Sequence, residues 1–182
     1  MAKAIAMVEF MTVASGVTAA DIMAKTAEVE IMEANVVCPG KYIILISGDL
    51  SAVRAAVDAA KGYNPDRLVD SFVLGNPHES IFPAIYGATE VENPKALGVV
   101  ETYSAASMIA AADAAAKTAV VQLVEIRIAR GMCGKSYMFL TGDVAAVTAA
   151  VEKAKADIGE RGMLLDTSVI ANPDSKIWKN IL

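Results

Sequence analysis

This chain repeats itself, and that repeat constrains its fold more than any other feature of the sequence. Ala6-Met7-Val8-Glu9 returns ninety-two residues later as Gly98-Val99-Val100-Glu101. At the same offset, Ala20-Asp21 and Lys25-Thr26-Ala27 return as Ala112-Asp113 and Lys117-Thr118-Ala119. The offset grows to ninety-four where Gly40-Lys41 and Gly48-Asp49 match Gly134-Lys135 and Gly142-Asp143. It ends at ninety-six, where Asp70, Val73 and Asn76-Pro77 match Asp166, Val169 and Asn172-Pro173. Blocks that stay in register while the offset drifts by two in loop-like places point to duplication followed by small loop changes. Alanine bias does not explain matched Asp, Lys, Gly and Pro. The chain is therefore read as two domains, residues 1–90 and 91–182, joined through a polar, turn-prone linker from Gly87 to Pro94.

Each half has the same element order. Ala2 to Phe10 is an apolar extended stretch and reads as a strand. Thr18, with Asp21 three residues on, forms a capping-box pattern that predicts a helix to about Ala27. Apolar and polar residues alternate with period two from Val29 to Val37, which predicts a second strand. Cys38-Pro39-Gly40 is a turn, and Lys41 to Ser47 is a β-branched strand ending at Gly48. Asp49 is placed to cap a helix whose Leu50, Val53, Val57 and Ala60 keep helical spacing; Gly62 and Pro65 end it. Leu68 to Leu74 is the last strand, and a short helix through Ile85 follows Asn76-Pro77. The fold class is α+β: a tandem duplication of a ferredoxin-like β-α-β-β-α-β domain, with antiparallel sheets and helices on one face.

Composition narrows the function. A net charge of -5 argues against nucleic acid as a partner, because phosphate neutralisation needs a basic stripe. Met108 to Val124 is the longest apolar stretch, but Asp113 and Lys117 break it, so no membrane span is expected. The N-terminus carries no extended apolar segment before Glu9, which predicts no signal peptide. Two cysteines are too few for a disulfide framework and fit a reducing, cytosolic setting. A chain that is 55% hydrophobic yet has no membrane span is expected to bury surface against other copies of itself.

No enzyme emerges from the residues. His78 is the sole histidine, so no His-based triad or multi-His metal site exists within one chain. Its expected place is a helix start or an interface. Glu9 and Glu101 lack an acid partner at a defined spacing, and no glycine-rich phosphate loop occurs. Cys38 is the sharper candidate. One cysteine cannot build a metal site, but three copies around a threefold axis would bring three thiols to one point. Lys41 nearby is expected to favour their ionisation. Three thiolates suit either an iron–sulfur cluster with one iron left for another ligand or a thiolate-rich zinc site completed by water. Cys133 falls in the matching turn of the second half, one position later, where Cys38 itself aligns with Met132. It reads either as an unligated loop thiol or as a further thiol near the same axis.

The strand Ala4 to Glu9, the Ala-Asp-x-x-x-Lys helix at Ala20 to Lys25, and Gly40-Lys41-Tyr42 with Gly48-Asp49 together resemble a bacterial microcompartment shell domain. The same set recurs at Gly98 to Glu101, Ala112 to Lys117 and Gly134 to Asp143, so the resemblance covers nearly the whole chain twice. It implies a tandem-domain shell protein that forms flat trimers imitating hexamers, with unpermuted element order and a place in a microcompartment shell. Within the family, Cys38-Pro39-Gly40-Lys41 is similar to the turn of the iron–sulfur-binding members from propanediol-utilising compartments. That similarity implies Cys38 as ligand to a 4Fe–4S cluster shared by three subunits, and a pore lined by Pro39, Gly40, Met132, Cys133 and Gly134. Lys25 and Lys117 match the family's edge lysine, which packs between neighbouring shell oligomers. The implied role is a structural shell component that moves electrons across the shell, with an encapsulated redox enzyme as a further partner. A cluster-free pore for small metabolites is the alternative. Asn76 and Asn172 stand where the family often has an arginine, and the first half alone keeps the following histidine, His78, so lateral contacts are expected to differ.

Overall fold

In the computed structural model, which describes residues 4–182, the chain forms two compact units. Ala2 and Lys3, the expected start of the first strand and part of the N-terminal stretch read for a leader, lie outside the described residues.

The first unit comprises the residues up to Pro77 together with two later segments, Ser104–Ser107 and Ala129–Gly134. Its strands are β1 (Ala4–Phe10), β2 (Glu30–Val37), β3 (Lys41–Gly48) and β4 (Leu68–Leu74). They pair antiparallel in the order β2-β3-β1-β4. Helices α1 (Val13–Thr26) and α2 (Leu50–Tyr63) lie over one face. Alternate residues of β1 (Ala4, Ala6, Val8, Phe10) and of β3 (Ile44, Ile46) form the core with Ala19, Ala20 and Met23 of α1 and Val53, Ala56, Val57 and Ala60 of α2. The helical spacing on α2 is the pattern read from the sequence, whereas on β2, where alternation predicts an apolar face, Ile31 is exposed and Glu33 is buried.

The second unit contains α3 (Ile81–Ile85), β5 (Ala96–Thr102), most of α4 (Ala105–Thr118), β6 (Val121–Ile128), β7 (Ser136–Gly142), α5 (Val144–Gly159), β8 (Leu164–Ile170) and α6 (Ser175–Ile181). Its sheet order, β6-β7-β5-β8, reproduces the first. The copies also share irregularities: β2 and β6 each slip register just before an aligned glutamate, Glu33 and Glu125. No helix among the described residues is long and apolar enough to cross a membrane.

Two local expectations are corrected. Helix α1 begins at Val13, and its cap is Thr12, whose side chain accepts from the Ser15 N–H at 3.4 Å. Thr18 lies inside the helix and donates its hydroxyl to the Ala14 carbonyl at 3.1 Å. The early glycine, Gly16, hid this start, because glycine disfavours a helix by about 1 kcal/mol relative to alanine. Packing makes it necessary: a Cβ at Gly16 would lie 2.3 Å from the Cβ of Tyr42. The second correction concerns Asp49, which occupies the N-cap position of α2 but makes no side-chain capping bond.

Candidate functional site

The turn joining β2 to β3 is the centre of interest. Cys38 and Pro39 are exposed at its tip. Gly40 adopts φ +112, a conformation side-chain-bearing residues rarely take, so glycine lets the chain reverse here. The second turn, at Gly131–Gly134, lies against this one. A Cβ on Gly134 would fall 3.0 Å from the Cys38 carbonyl oxygen and 2.8 Å from Cε of Lys41. Gly134 is accordingly buried, Met132 is half-buried and Cys133 is exposed. Cys133 has φ +51 between Gly131 at +71 and Gly134 at +83, an unusual backbone for a non-glycine residue.

Beneath the turn lies a polar chain that the sequence did not announce. Lys41 donates from Nζ to Oε1 of Glu9 at 2.7 Å and to the Gly134 carbonyl at 3.3 Å. Its charge is therefore directed at a carboxylate inside the unit, at the base of the turn that carries Cys38. Glu9 is fully buried, and its Oε2 accepts from the Ala105 N–H, the first residue of α4, at 3.0 Å. Asp70 accepts from the hydroxyls of both Ser104 and Ser107 at 2.5 Å, while Ser107 N–H donates to Ser104 Oγ at 3.0 Å. Two carboxylates thus sit at the positive end of α4, where the helix dipole favours negative charge. Glu33, also buried, pairs with the guanidinium of Arg130 and accepts from Asn35 Nδ2 at 2.9 Å.

Burial is the largest influence on Glu9 and raises its pKa above the usual 4.5, against the lowering effects of Lys41 and the Ala105 N–H. A carboxyl with a raised folded pKa keeps its proton in the folded state to higher pH than in the unfolded chain. Its contribution to stability therefore falls as pH rises from about 4.5 through the folded value. The stability difference between wild type and Glu9→Gln should decline across that window by up to about 1.4 kcal/mol per pH unit, then level off. Urea melts of both proteins between pH 4.5 and 7.5 check this. A difference that stays constant, or that grows with pH, would contradict the raised pKa.

The remaining candidates lie elsewhere. Lys25 is exposed on α1 and pairs with Asp21 at 2.7 Å; Lys117 on α4 pairs with Asp113 at 2.6 Å, both at i,i+4 spacing. The His78 N–H donates to Asp113 at 2.8 Å, and its ring bonds Ser80 just before α3, the helix-start place expected for it. Glu125, Arg127 and Tyr137 form a second-unit cluster that the sequence reading missed. The Tyr137 hydroxyl donates to Glu125 at 2.8 Å, and burial followed by that bond pushes its pKa up to about 12.

Among the described residues, no three Cys, His, Asp or Glu side chains come together to hold a metal within one chain. Cys38 offers a single soft donor at an exposed tip. That donor set fits a thiolate-ligated group when several copies share it.

The BMC domain family matches the chain twice, over residues 4–77 and 96–173. The bacterial microcompartment shell protein PduT of Citrobacter freundii is 41% identical over 182 residues, covering 100% of this chain and 99% of its own. A microcompartment protein of Desulfitobacterium hafniense superposes with a TM-score of 0.86 at 47% identity, covering 98% of this chain and 99% of that one. A fused permuted hexameric shell protein of the RMM microcompartment superposes at 0.64 with 24% identity, over 87% of this chain and 82% of that one, a likeness of fold.

Proposed function

The chain belongs to the bacterial microcompartment shell proteins, with two BMC domains in tandem, and from that membership we propose that it forms a homotrimer whose central pore carries a shared 4Fe–4S cluster. Residues 1–90 and 91–182 each supply one of the six shell domains of the ring. The role is structural and electron-conducting, with no substrate turned over. Neighbouring shell oligomers meet the ring at its edges through Lys25 and Lys117, and an encapsulated redox enzyme exchanges electrons with the pore.

The observation that carries this reading is the exposed thiol of Cys38 at the tip of a braced turn. Cys38 from three copies would hold the cluster, leaving one iron for a ligand other than cysteine; when bound, the group supplies one-electron redox chemistry. The rest of the turn positions the thiol. Gly40 supplies the reversal, while Lys41, tied to Glu9 and to the Gly134 carbonyl, fixes the base of the loop. Pro39, Gly40, Met132, Cys133 and Gly134 would line the pore around the thiol, and the close approach of Gly134 to the Cys38 carbonyl supports this.

Iron and acid-labile sulfide, measured per trimer in protein purified without oxygen, test the reading. A shared cubane predicts about four of each. A value near zero after attempted reconstitution would overturn the cluster and leave Cys38 as a thiol lining a metabolite pore.

A further inference from the structure

We propose that Cys38 and Cys133 form a reversible disulfide within one chain whenever Cys38 holds no iron, so that the turn alternates between a metal ligand and an oxidised pair. The inference goes beyond the cluster reading and does not need it, because the two thiols share one unit of the chain whether or not iron is bound.

The two cysteines lie in different halves of the sequence, yet both belong to the first unit, because Ala129–Gly134 packs with the first half. Gly134 comes so near the first turn that an added Cβ would lie 3.0 Å from the Cys38 carbonyl oxygen. Consecutive Cα atoms are about 3.8 Å apart, so Cys133 stands one residue step from that contact. Lys41 keeps the two turns together, donating to the Gly134 carbonyl at 3.3 Å while anchored on buried Glu9 at 2.7 Å. Gly40 and Gly131 leave the tips room to move: no atom lies within 4 Å of where a Cβ on either would stand. A small shift of the tips brings the pair into the window of roughly 4.4–6.8 Å between Cα atoms that a disulfide needs.

Cys133 is not the duplicate of Cys38. The repeat aligns Cys38 with Met132, and the second thiol stands where the first half has Pro39. Both thiols are free and exposed, which separates them from inert buried cysteines and opens them to a soluble oxidant. That oxidant is a small disulfide of the glutathione class. The Cys38 thiolate attacks one of its sulfurs, forming a mixed disulfide and releasing one small thiol. The Cys133 thiolate then attacks the Cys38 sulfur, and the second small thiol leaves. Two protein thiols thus give up two electrons and two protons, and the oxidant is reduced to two thiols. Cys38 in a disulfide has no thiolate to offer iron, so oxidation and metal loading exclude each other. Reduction restores the ligand, as suits a transient disulfide in a reducing setting.

Iron-free protein equilibrated with oxidised glutathione and then alkylated tests the pairing. Peptide mapping should find Cys38 joined to Cys133 of the same chain, and free thiols should fall from two per chain to none. Iron and sulfide should enter the oxidised protein only after a dithiol reductant is added. In Cys133→Ser, Cys38 should instead keep one glutathione, because no second thiol displaces it. Glutathione retained on both wild-type cysteines, two unmodified thiols, or a link only between different chains would overturn the pairing. A wild type that pairs its cysteines but takes up no iron once reduced would overturn the cluster reading and leave this inference standing.

Discussion

Cys38→Ser is expected to assemble as the wild type does and to hold neither iron nor sulfide. A serine hydroxyl is a poor ligand to iron at neutral pH beside a thiolate, and three such losses at one axis leave nothing to carry a cubane. Assembly should survive because the Cys38 side chain is exposed and lies outside the buried core. Surface changes of this size usually shift stability by less than about 0.5 kcal/mol. Cys133→Ser is the paired control. It aligns one position away from Cys38, so its loss should leave iron content near that of the wild type. Iron retained in Cys38→Ser, or lost equally in Cys133→Ser, would sink the assignment. Loss of the trimer in Cys38→Ser would make the cysteine structural instead.

The second large effect is expected at Gly16. Alanine normally improves a helix by about 1 kcal/mol over glycine, yet here the added methyl would sit 2.3 Å from the Cβ of Tyr42. That Cβ is rooted on β3, and the Tyr42 hydroxyl is tied to the Ala34 carbonyl at 2.9 Å, so the ring cannot swing clear. Helix and strand must separate, and Gly16→Ala should lose about 3 kcal/mol, near the top of the range for overpacking. For a chain of this size that lowers Tm by about 6–12 °C. Because assembly makes Tm depend on concentration, both proteins must be melted at the same concentration.

Gly98→Ala gives the contrast. Its new Cβ would meet the far ends of Leu140 and Val147, at 2.7 and 2.9 Å, which can rotate away, and Ala6 already occupies the matching place in the first half. A smaller loss than for Gly16→Ala is expected; equal losses would refute the Tyr42 explanation. The repeat also shows how the first clash is avoided in the other copy. Where the first half pairs Gly16 with Tyr42, the second has Met108 and Ser136 at the corresponding places, moving the bulk from strand to helix.

Much of the architecture was legible from local pattern. The spacing of Val53, Val57 and Ala60 reports a periodicity that the helix itself imposes, and the Cys38-Pro39-Gly40 turn is marked by its own residue types. The start of α1 was not legible. Thr12 and Thr18 are both acceptable caps by local chemistry, and the helix that forms starts after Thr12, with its glycine, Gly16, packed against Tyr42 of another element.

The candidate site divides in the same way. The thiol of Cys38 is visible as a residue type in a turn, but its brace is not. Lys41 reaches a carbonyl 93 positions away, and Glu9 receives an N–H 96 positions away. The sequence alone established the duplication, the order of elements in each half and the single cysteine at the first turn, because these depend on neighbouring residues and on comparison of the chain with itself. Tertiary structure decided how matched residues differ: Glu9 and Asp70 are buried against Ser104, Ala105 and Ser107, while Asp166 stands exposed. Two aspartates at matched positions acquire different environments because burial depends on what packs against a strand, which neighbours in sequence do not specify.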